Sequence, residues 1–167
     1  MARLDYVAEG GEVAERIRAR RGGRLTPLDG VLLHSPPFAD GWNSLLGAIR
    51  GASTLPGDVR ELAILRVAEL NGAEYEWSAH EPVAKDEGLG VEQIGALRTG
   101  GDVSVLDARQ RAALAYTDAM TRDVTVPEEL FRALGEHFDE QQVVELTVTV
   151  AAYNMVSRFL VALEVGR

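Results

Sequence analysis

The sequence predicts an all-α protein, and two patterns support that class. Apolar residues recur at helical spacing, between glycine and proline breaks, and no segment alternates apolar and polar residues as a half-buried strand does. The length of 167 residues and the hydrophobic share of 46% suit one domain with its own core. We therefore expect a single domain over residues 1–167, folded as a helical bundle.

The N-terminal part of the domain, residues 1–52, contains two predicted helices. The first covers residues 11–21 and stops at Gly22-Gly23. Residues 24–37 carry several turn signals and should be irregular, and the second helix covers residues 38–50. The breaks in this part come from Pro27, Asp29-Gly30 and Pro36-Pro37.

Residues 58–88 contain a predicted pair of helices, over residues 59–70 and 73–87. Pro82 lies inside the second and should kink it, because proline removes a backbone donor. The boundary signals are Asp58 as an N-cap and Asn71-Gly72 as a stop for the first helix, and Gly88 followed by apolar Leu89 for the second.

After a short helix near residues 91–97, the C-terminal part, residues 107–164, holds three more predicted helices. They are residues 108–121 capped by Asp107, a helix from Pro127 to about Phe138, and residues 140–164 behind an Asp139–Gln142 capping box. The last is rich in valine and threonine, so a strand is the alternative. Its length without glycine or proline favours a buried helix.

Charge and composition exclude several classes of function. The net charge of −9 should repel phosphate backbones and anionic lipid, so neither nucleic acid nor a membrane is an expected partner. Without cysteine, disulfides, thiolate metal sites and thiol mechanisms are excluded. The N-terminus does not resemble a signal peptide, and no stretch approaches the ~20 apolar residues of a membrane span. We expect a cytoplasmic protein.

Two polar side chains lie on the inward face of the helix over residues 73–87. At roughly 100° per residue, Glu76 and His80 point with the apolar residues and lie one turn apart. Burying a carboxylate and an imidazole costs several kcal/mol unless they pair or serve a function. The alternative is a structural pair that fills the core. The opposite, solvated face carries Glu74, Ser78, Glu81 and Lys85, whereas the inward side also includes Ala73, Trp77, Val83 and Ala84.

Glu61, on the preceding helix, also points inward. Taken by itself, this glutamate could simply be an ion-pair partner for a neighbouring arginine such as Arg60. Two carboxylates around a histidine can raise the imidazole pKa or fix its tautomer. Such a histidine suits proton transfer to or from a carbon acid. His80, Glu61 and Glu76 are therefore the candidate catalytic residues. An acidic substrate would need an arginine, for which the sequence offers Arg60, Arg66 and Arg158.

Four further residues are candidates for substrate binding. Tyr75 and Trp77 flank the inward pair and would form an aromatic wall or simply core. Asn154 is either a satisfied core amide or a hydrogen-bond donor to the substrate, and His34 is a loop residue that could reach the pocket. We expect no metal or other cofactor, since Glu76 and His80 are too few ligands and position 84, where a zinc protease has its second histidine, is alanine.

Residues 60–65 (RELAIL), 71–80 (NGAEYEWSAH) and Gly88-Leu89 resemble the core motif of carboxymuconolactone decarboxylase and alkylhydroperoxidase D-like proteins. Peroxidase members have a glutamate followed by Cys-x-x-Cys and a histidine. Here Glu61 and His80 match the glutamate and the histidine, whereas Ala73 and Glu76 occupy the cysteine positions. The supporting similarity is found at His34-Ser35-Pro36-Pro37, Tyr153-Asn154 and Arg158-Phe159.

This resemblance implies the alkylhydroperoxidase D-like helical fold, a homo-oligomer (trimer or hexamer) and the decarboxylase side of the family, which works without the cysteines. The leading hypothesis is a cofactor-free enzyme that transfers protons on a small lactone or carbonyl compound, with or without loss of CO2. The alternative is a non-catalytic oligomer that binds a ligand or partner. A thiol peroxidase is disfavoured because cysteine is absent.

Overall fold

The computed structural model describes residues 2–9 and 11–166, and within them the protein is all-α, as predicted. These residues form nine α-helices and one short 3-10 helix, and none of them lies in a strand. The chain divides into two compact units. One comprises the residues up to Ser53 together with those from Leu160 onward, and the other is Thr54–Phe159.

The first unit contains α1 (Gly11–Arg20), α2 (Pro27–Leu32) and α3 (Pro36–Gly51). The expectation of irregular chain over residues 24–37 was wrong, because α2 lies there. Thr26 caps it: its hydroxyl accepts a hydrogen bond from the Asp29 amide, and the Asp29 carboxylate accepts one from the Thr26 amide at 2.8 Å. A helix of six residues is too short to show periodicity, so only its capping box could have revealed it.

The second unit is built around α4, with α5 and α7 packed against it. Every position from Val59 to Ala68 is buried, so α4 has no solvated face along that length. This burial explains why polar residues of α4 must find partners inside the protein. The other bounds are α5 Glu74–Asp86, α6 Val91–Ala96, the 3-10 helix Val103–Val105, α7 Ala108–Arg122, α8 Glu128–Gly135 and α9 Glu140–Ala162.

The boundaries of α4 and α5 largely follow the sequence signals, with one correction. Asp58 is not the N-cap of α4, which is Pro56; instead its carboxylate accepts hydrogen bonds from Arg109 at 2.6 Å and Gln110 at 3.0 Å. The Asn71-Gly72 turn and the Gly88-Leu89 stop are confirmed, with φ of +65° at Gly72 and +101° at Gly88. Helix α5 runs through Pro82 without interruption.

Helix α9 begins with the predicted capping box, in which the Gln142 amide donates to the Asp139 carboxylate at 2.8 Å. The expectation that no stretch is long and apolar enough to cross a membrane was wrong, because α9 passes by length and composition. The core helix of a soluble protein passes the same test, and α9 buries Leu146, Val150 and Tyr153 almost completely. Helix α9 is therefore weak evidence for a membrane span.

Replacing Asp107 with alanine is expected to lower the free energy of unfolding by about 1 kcal/mol, the usual effect of losing an N-cap. The Asp107 carboxylate accepts a hydrogen bond from the Gln110 backbone amide at 2.7 Å, and the Asp107 backbone amide donates one to the Gln110 side-chain oxygen at 3.2 Å. Urea unfolding followed by circular dichroism measures the loss. The control is Asp86→Ala, at an exposed position where α5 ends. An equal effect in both variants would contradict the capping role.

Candidate functional site

The helical hairpin of α4 and α5 brings Glu61 and His80 together. Glu61 lies ten residues before Asn71 and His80 nine residues after it, so the two occupy matching levels of an antiparallel pair. The Glu61 Oε2 atom lies 2.6 Å from Nδ1 of His80, a short hydrogen bond in which the imidazole donates. The tight turn at Asn71-Gly72 therefore fixes the central contact of the site.

The other ring nitrogen of His80 is also occupied. Glu76, one turn earlier on α5, places Oε1 3.1 Å from Nε2 of His80. Tyr153 of α9 places its hydroxyl 3.3 Å from the same nitrogen, and its ring meets the imidazole edge-on, with 5.2 Å between centroids. Three helices thus surround the imidazole and leave neither nitrogen free.

The group is buried, and this determines its charge. Glu61 is 0% exposed, and Glu76 and His80 are each 5% exposed. Burial alone would lower the pKa of His80, but hydrogen bonds to and negative charges on Glu61 and Glu76 outweigh it and raise that pKa to about 9. At neutral pH the imidazole is therefore protonated, and an imidazolium lies between two carboxylates.

A second ion pair links this group to the protein surface. The Arg60 Nε atom donates to Glu61 Oε1 at 3.2 Å, and its terminal nitrogen donates to Glu87 at 2.7 Å. The predicted alternative for Glu61, pairing with Arg60, is therefore present together with the His80 contact. Since the Glu87 side chain is 39% exposed, the charged chain ends at solvent.

The structure brings together the three predicted catalytic residues, and it gives Trp77 and Asn154, two of the predicted binding residues, partners outside that group. Trp77 is buried beneath the Arg98 guanidinium, 3.5 Å from its ring centroid, and donates to Glu81 at 3.1 Å. Tyr75 is half-buried. Asn154 is a well-satisfied amide that bonds Asn71, Thr121, Val150 and Arg158.

His34 belongs to the first unit, where its Nε2 donates to the backbone carbonyl of Asp5 at 2.8 Å. One inward assignment was also wrong: Val83 is 37% exposed, because it lies at the edge of the buried face of α5.

Sequence reasoning missed Tyr153 and Glu87 as parts of this group. In the sequence, Tyr153 stands out only as part of the family resemblance. Its place in an apolar, buried helix is the signal that could have predicted a partner for its hydroxyl inside the protein. Glu87 offered no signal, because it lies at the C-terminus of α5 and meets Arg60 only through the fold.

An apolar groove and a metal centre are the two other kinds of site that a helical protein of this size could offer. An open apolar groove of about 540 Å³ is lined by Phe131, Phe138, Val143 and Val144 among others, and its lining does not include the Glu–His group. In the described part of the chain, no cluster of acidic and histidine residues is arranged to hold a metal ion. The Glu61–His80–Glu76 group is therefore the candidate site.

Comparison with known proteins places this arrangement in a family. Residues 36–119, half of the chain, match the sequence profile of the Carboxymuconolactone decarboxylase family. The chain belongs to the carboxymuconolactone decarboxylase family. The match includes the whole α4–α5 hairpin and so contains Glu61, Glu76 and His80. Among individual relatives, the uncharacterized protein YdfG of Bacillus subtilis (strain 168) is 27% identical over 113 residues, which are 66% of this chain and 77% of YdfG.

Solved structures show the same fold for this member of the carboxymuconolactone decarboxylase family. The alkylhydroperoxidase AhpD core of an uncharacterized peroxidase-related protein from Ralstonia eutropha JMP134 matches with a TM-score of 0.79 and 19% identity, over 96% of this chain and 90% of its own. The debrominase Bmp8, in complex with 2,3,4-tribromopyrrole, matches with a TM-score of 0.77 and 18% identity, over 93% and 83%. These matches confirm the predicted alkylhydroperoxidase D-like fold.

The stability of the protein is expected to fall by roughly 3 kcal/mol between pH 6.5 and pH 9, because protonated His80 favours the folded state. The folded pKa of about 9 lies above the ordinary value of 6.5, so the stabilisation is complete below pH 6.5 and disappears as the pH rises through 9. Urea unfolding at successive pH values measures it. The loss of unfolding free energy with rising pH should be smaller in His80→Gln. An equally large loss in that variant would contradict this account.

Proposed function

We propose that this protein is a cofactor-free enzyme that transfers protons on a small carbonyl or lactone compound. The observation that carries the proposal is the buried imidazolium of His80, held between Glu61 at 2.6 Å and Glu76 at 3.1 Å. His80 acts as the general acid and base, Glu61 orients it, and Glu76 modulates it. A proton-transfer group positioned in this way contributes about 10²–10⁴-fold to a rate.

Membership of the carboxymuconolactone decarboxylase family supports this class of chemistry. Decarboxylation leaves an enolate-like carbanion, which a positioned acid protonates, and tautomerisation of a ketone passes through the same kind of intermediate. The similarity to a debrominase is a further reason to expect an enzyme on this fold. The chain has no cysteine, so thiol peroxidase chemistry through the Cys-x-x-Cys motif is not proposed.

A non-catalytic role is the second candidate, and the burial of the site favours it. The side chains of Glu76 and His80 are each 6% exposed, and both ring nitrogens of His80 are occupied. A buried ion pair of this kind also serves as a structural element. In that case the protein would be an oligomer that binds a ligand or partner without turning it over.

The test is exchange of hydrogen for deuterium at the carbon beside a carbonyl, followed by NMR in D2O. The panel contains small lactones, ketones and β-keto acids, with 4-carboxymuconolactone as the carboxylated member. Exchange or CO2 release by the wild type, lost in His80→Ala, supports the enzyme. If no compound reacts faster than in buffer, or if His80→Ala retains the rate, proton transfer by His80 is ruled out for this class.

A further inference from the structure

Glu76 and His80 are buried to the same extent, each 5% exposed, and they differ in how their polar atoms are engaged. The His80 Nδ1 atom is held by Glu61, whereas Nε2 meets Glu76 and the Tyr153 hydroxyl. A substrate can reach either nitrogen only by displacing one of these side chains. Any proton that leaves the group without such a rearrangement therefore leaves through Glu76 or Tyr153.

The two carboxylate oxygens of Glu76 are engaged differently. Its Oε1 atom faces His80, and Oε2 has no hydrogen bond to any residue that the structure describes. Among these residues, Ser157 Oγ is the buried side-chain polar atom without a partner, so Oε2 of Glu76 is not sealed from solvent.

The arginines that could bind an anionic substrate in the second unit are already paired. Arg60 bonds Glu61 and Glu87, and Arg66 holds both oxygens of Asp118, at 2.6 and 2.7 Å, together with the Leu97 carbonyl. Arg158 bonds the side chain and backbone oxygens of Asn154, and Arg98 is shared between Glu69 and Glu74. Arg60, Arg66 and Arg98 are thus engaged by carboxylates, and Arg158 by the neutral oxygens of Asn154, so a negatively charged substrate would meet the Glu76 carboxylate without a free arginine among these four.

From this arrangement we propose that Glu76 is the substrate-facing base and that the substrate is an uncharged carbon acid, such as a neutral lactone, ketone or 1,3-dicarbonyl compound. The inference rests on the proposed proton-transfer function and specifies its substrate class. It also revises the roles within the group: Glu76 exchanges the proton with the substrate directly, and His80 supplies the positive charge beside it. An uncharged substrate favours tautomerisation or isomerisation over decarboxylation. The substrate of a decarboxylation carries the carboxylate that leaves as CO2, and this anion would have to bind beside Glu76. Like charges brought together in this way are strongly disfavoured.

The reaction step is balanced within the substrate and Glu76. Oε2 of Glu76 takes the proton from the carbon beside the carbonyl, and the electron pair of that C–H bond moves into the enolate, with the negative charge on oxygen. The neutral Glu76 acid then returns a proton to a carbon of the enolate and becomes a carboxylate again. The His80 imidazolium, 3.1 Å from Glu76, and the Tyr153 hydroxyl, 3.3 Å from Nε2 of His80, stabilise the negative charge during the step.

The deciding experiment compares a γ-lactone carboxylate with its primary amide, a pair of nearly equal size that differs in charge. Deuterium exchange by the wild type should give a kcat/KM at least about 100-fold higher for the amide than for the carboxylate, since like charges in a desolvated site cost several kcal/mol. Equal or faster exchange of the carboxylate would overturn the inference and leave the proposed function intact. If the wild type exchanges neither the amide nor the carboxylate, the result counts against both the inference and the proposed function.

Variants of Glu76 complete the test. Glu76→Gln keeps the size and an acceptor oxygen but loses the base, so exchange of the amide should fall at least 100-fold, about as for loss of a general base. Glu92→Gln, on the exposed face of α6, should match the wild type. A Glu76→Gln rate within twofold of the wild type would refute the role of Glu76. If that variant does not fold, Glu76→Asp keeps the charge and should still prefer the amide; a lost preference refutes the inference.

Discussion

Replacing His80 with alanine is expected to lower the rate of carbon–hydrogen exchange by about 10²–10⁴-fold, the contribution of a positioned acid or base. The variant removes the positive charge that lies 2.6 Å from Glu61 and 3.1 Å from Glu76. Two carboxylates then face each other across the vacated space, and the Tyr153 hydroxyl is left without the imidazolium to stabilise negative charge on the substrate. The measurement is kcat/KM for deuterium exchange on a compound that the wild type accepts.

The matched control for this experiment is His137→Ala, because His137 is exposed two residues beyond the end of α8 and is not one of the candidate residues. It should exchange at the wild-type rate. The exchange rate measured across a range of pH adds a second test, because a purely structural His80 would not give it a dependence on the imidazolium. Wild-type activity that depends on the imidazolium should decline as the pH rises through 9, where His80 loses its proton. A tenfold or smaller loss in His80→Ala would argue for a structural histidine.

Replacing Glu61 with alanine is expected to destabilise the protein by about 3–5 kcal/mol, the usual cost of removing one partner from a buried ion pair. Glu61 is fully buried and binds two cations, His80 and Arg60. Its loss leaves both near a cavity without their shared counter-ion. Urea unfolding at pH 7, followed by circular dichroism, measures the difference in free energy.

Two further variants make the Glu61 result specific. Glu61→Gln keeps the side-chain volume and an acceptor oxygen, so it should lose less stability than the alanine variant while still lowering the pKa of His80. Glu92→Ala, at an exposed position, should change the stability by less than about 0.5 kcal/mol. A Glu61→Ala protein that unfolds at the wild-type urea concentration would contradict the buried charge network.

The oligomeric state and the cellular compartment stay predictions, and so do the roles of the individual site residues. Most helix bounds, by contrast, were predictable, because they depend on local signals. The Asp107 and Asp139 capping boxes and the Gly72 and Gly88 stops act within a few residues of themselves. The missed α2 and the misassigned Asp58 show the limit: one helix was too short for periodicity, and the carboxylate had a better partner in Arg109, distant in sequence.

The sequence by itself determined the all-α class, the absence of thiol chemistry and the inward placement of Glu61, Glu76 and His80, because helical periodicity and composition are local properties. The tertiary structure alone decided which groups complete the site. Tyr153 reaches His80 from 73 residues away, and Glu87 reaches Arg60 from 27. The charge of the imidazole was decided in the same way, since its pKa depends on the balance between burial and neighbouring carboxylates, and packing sets both.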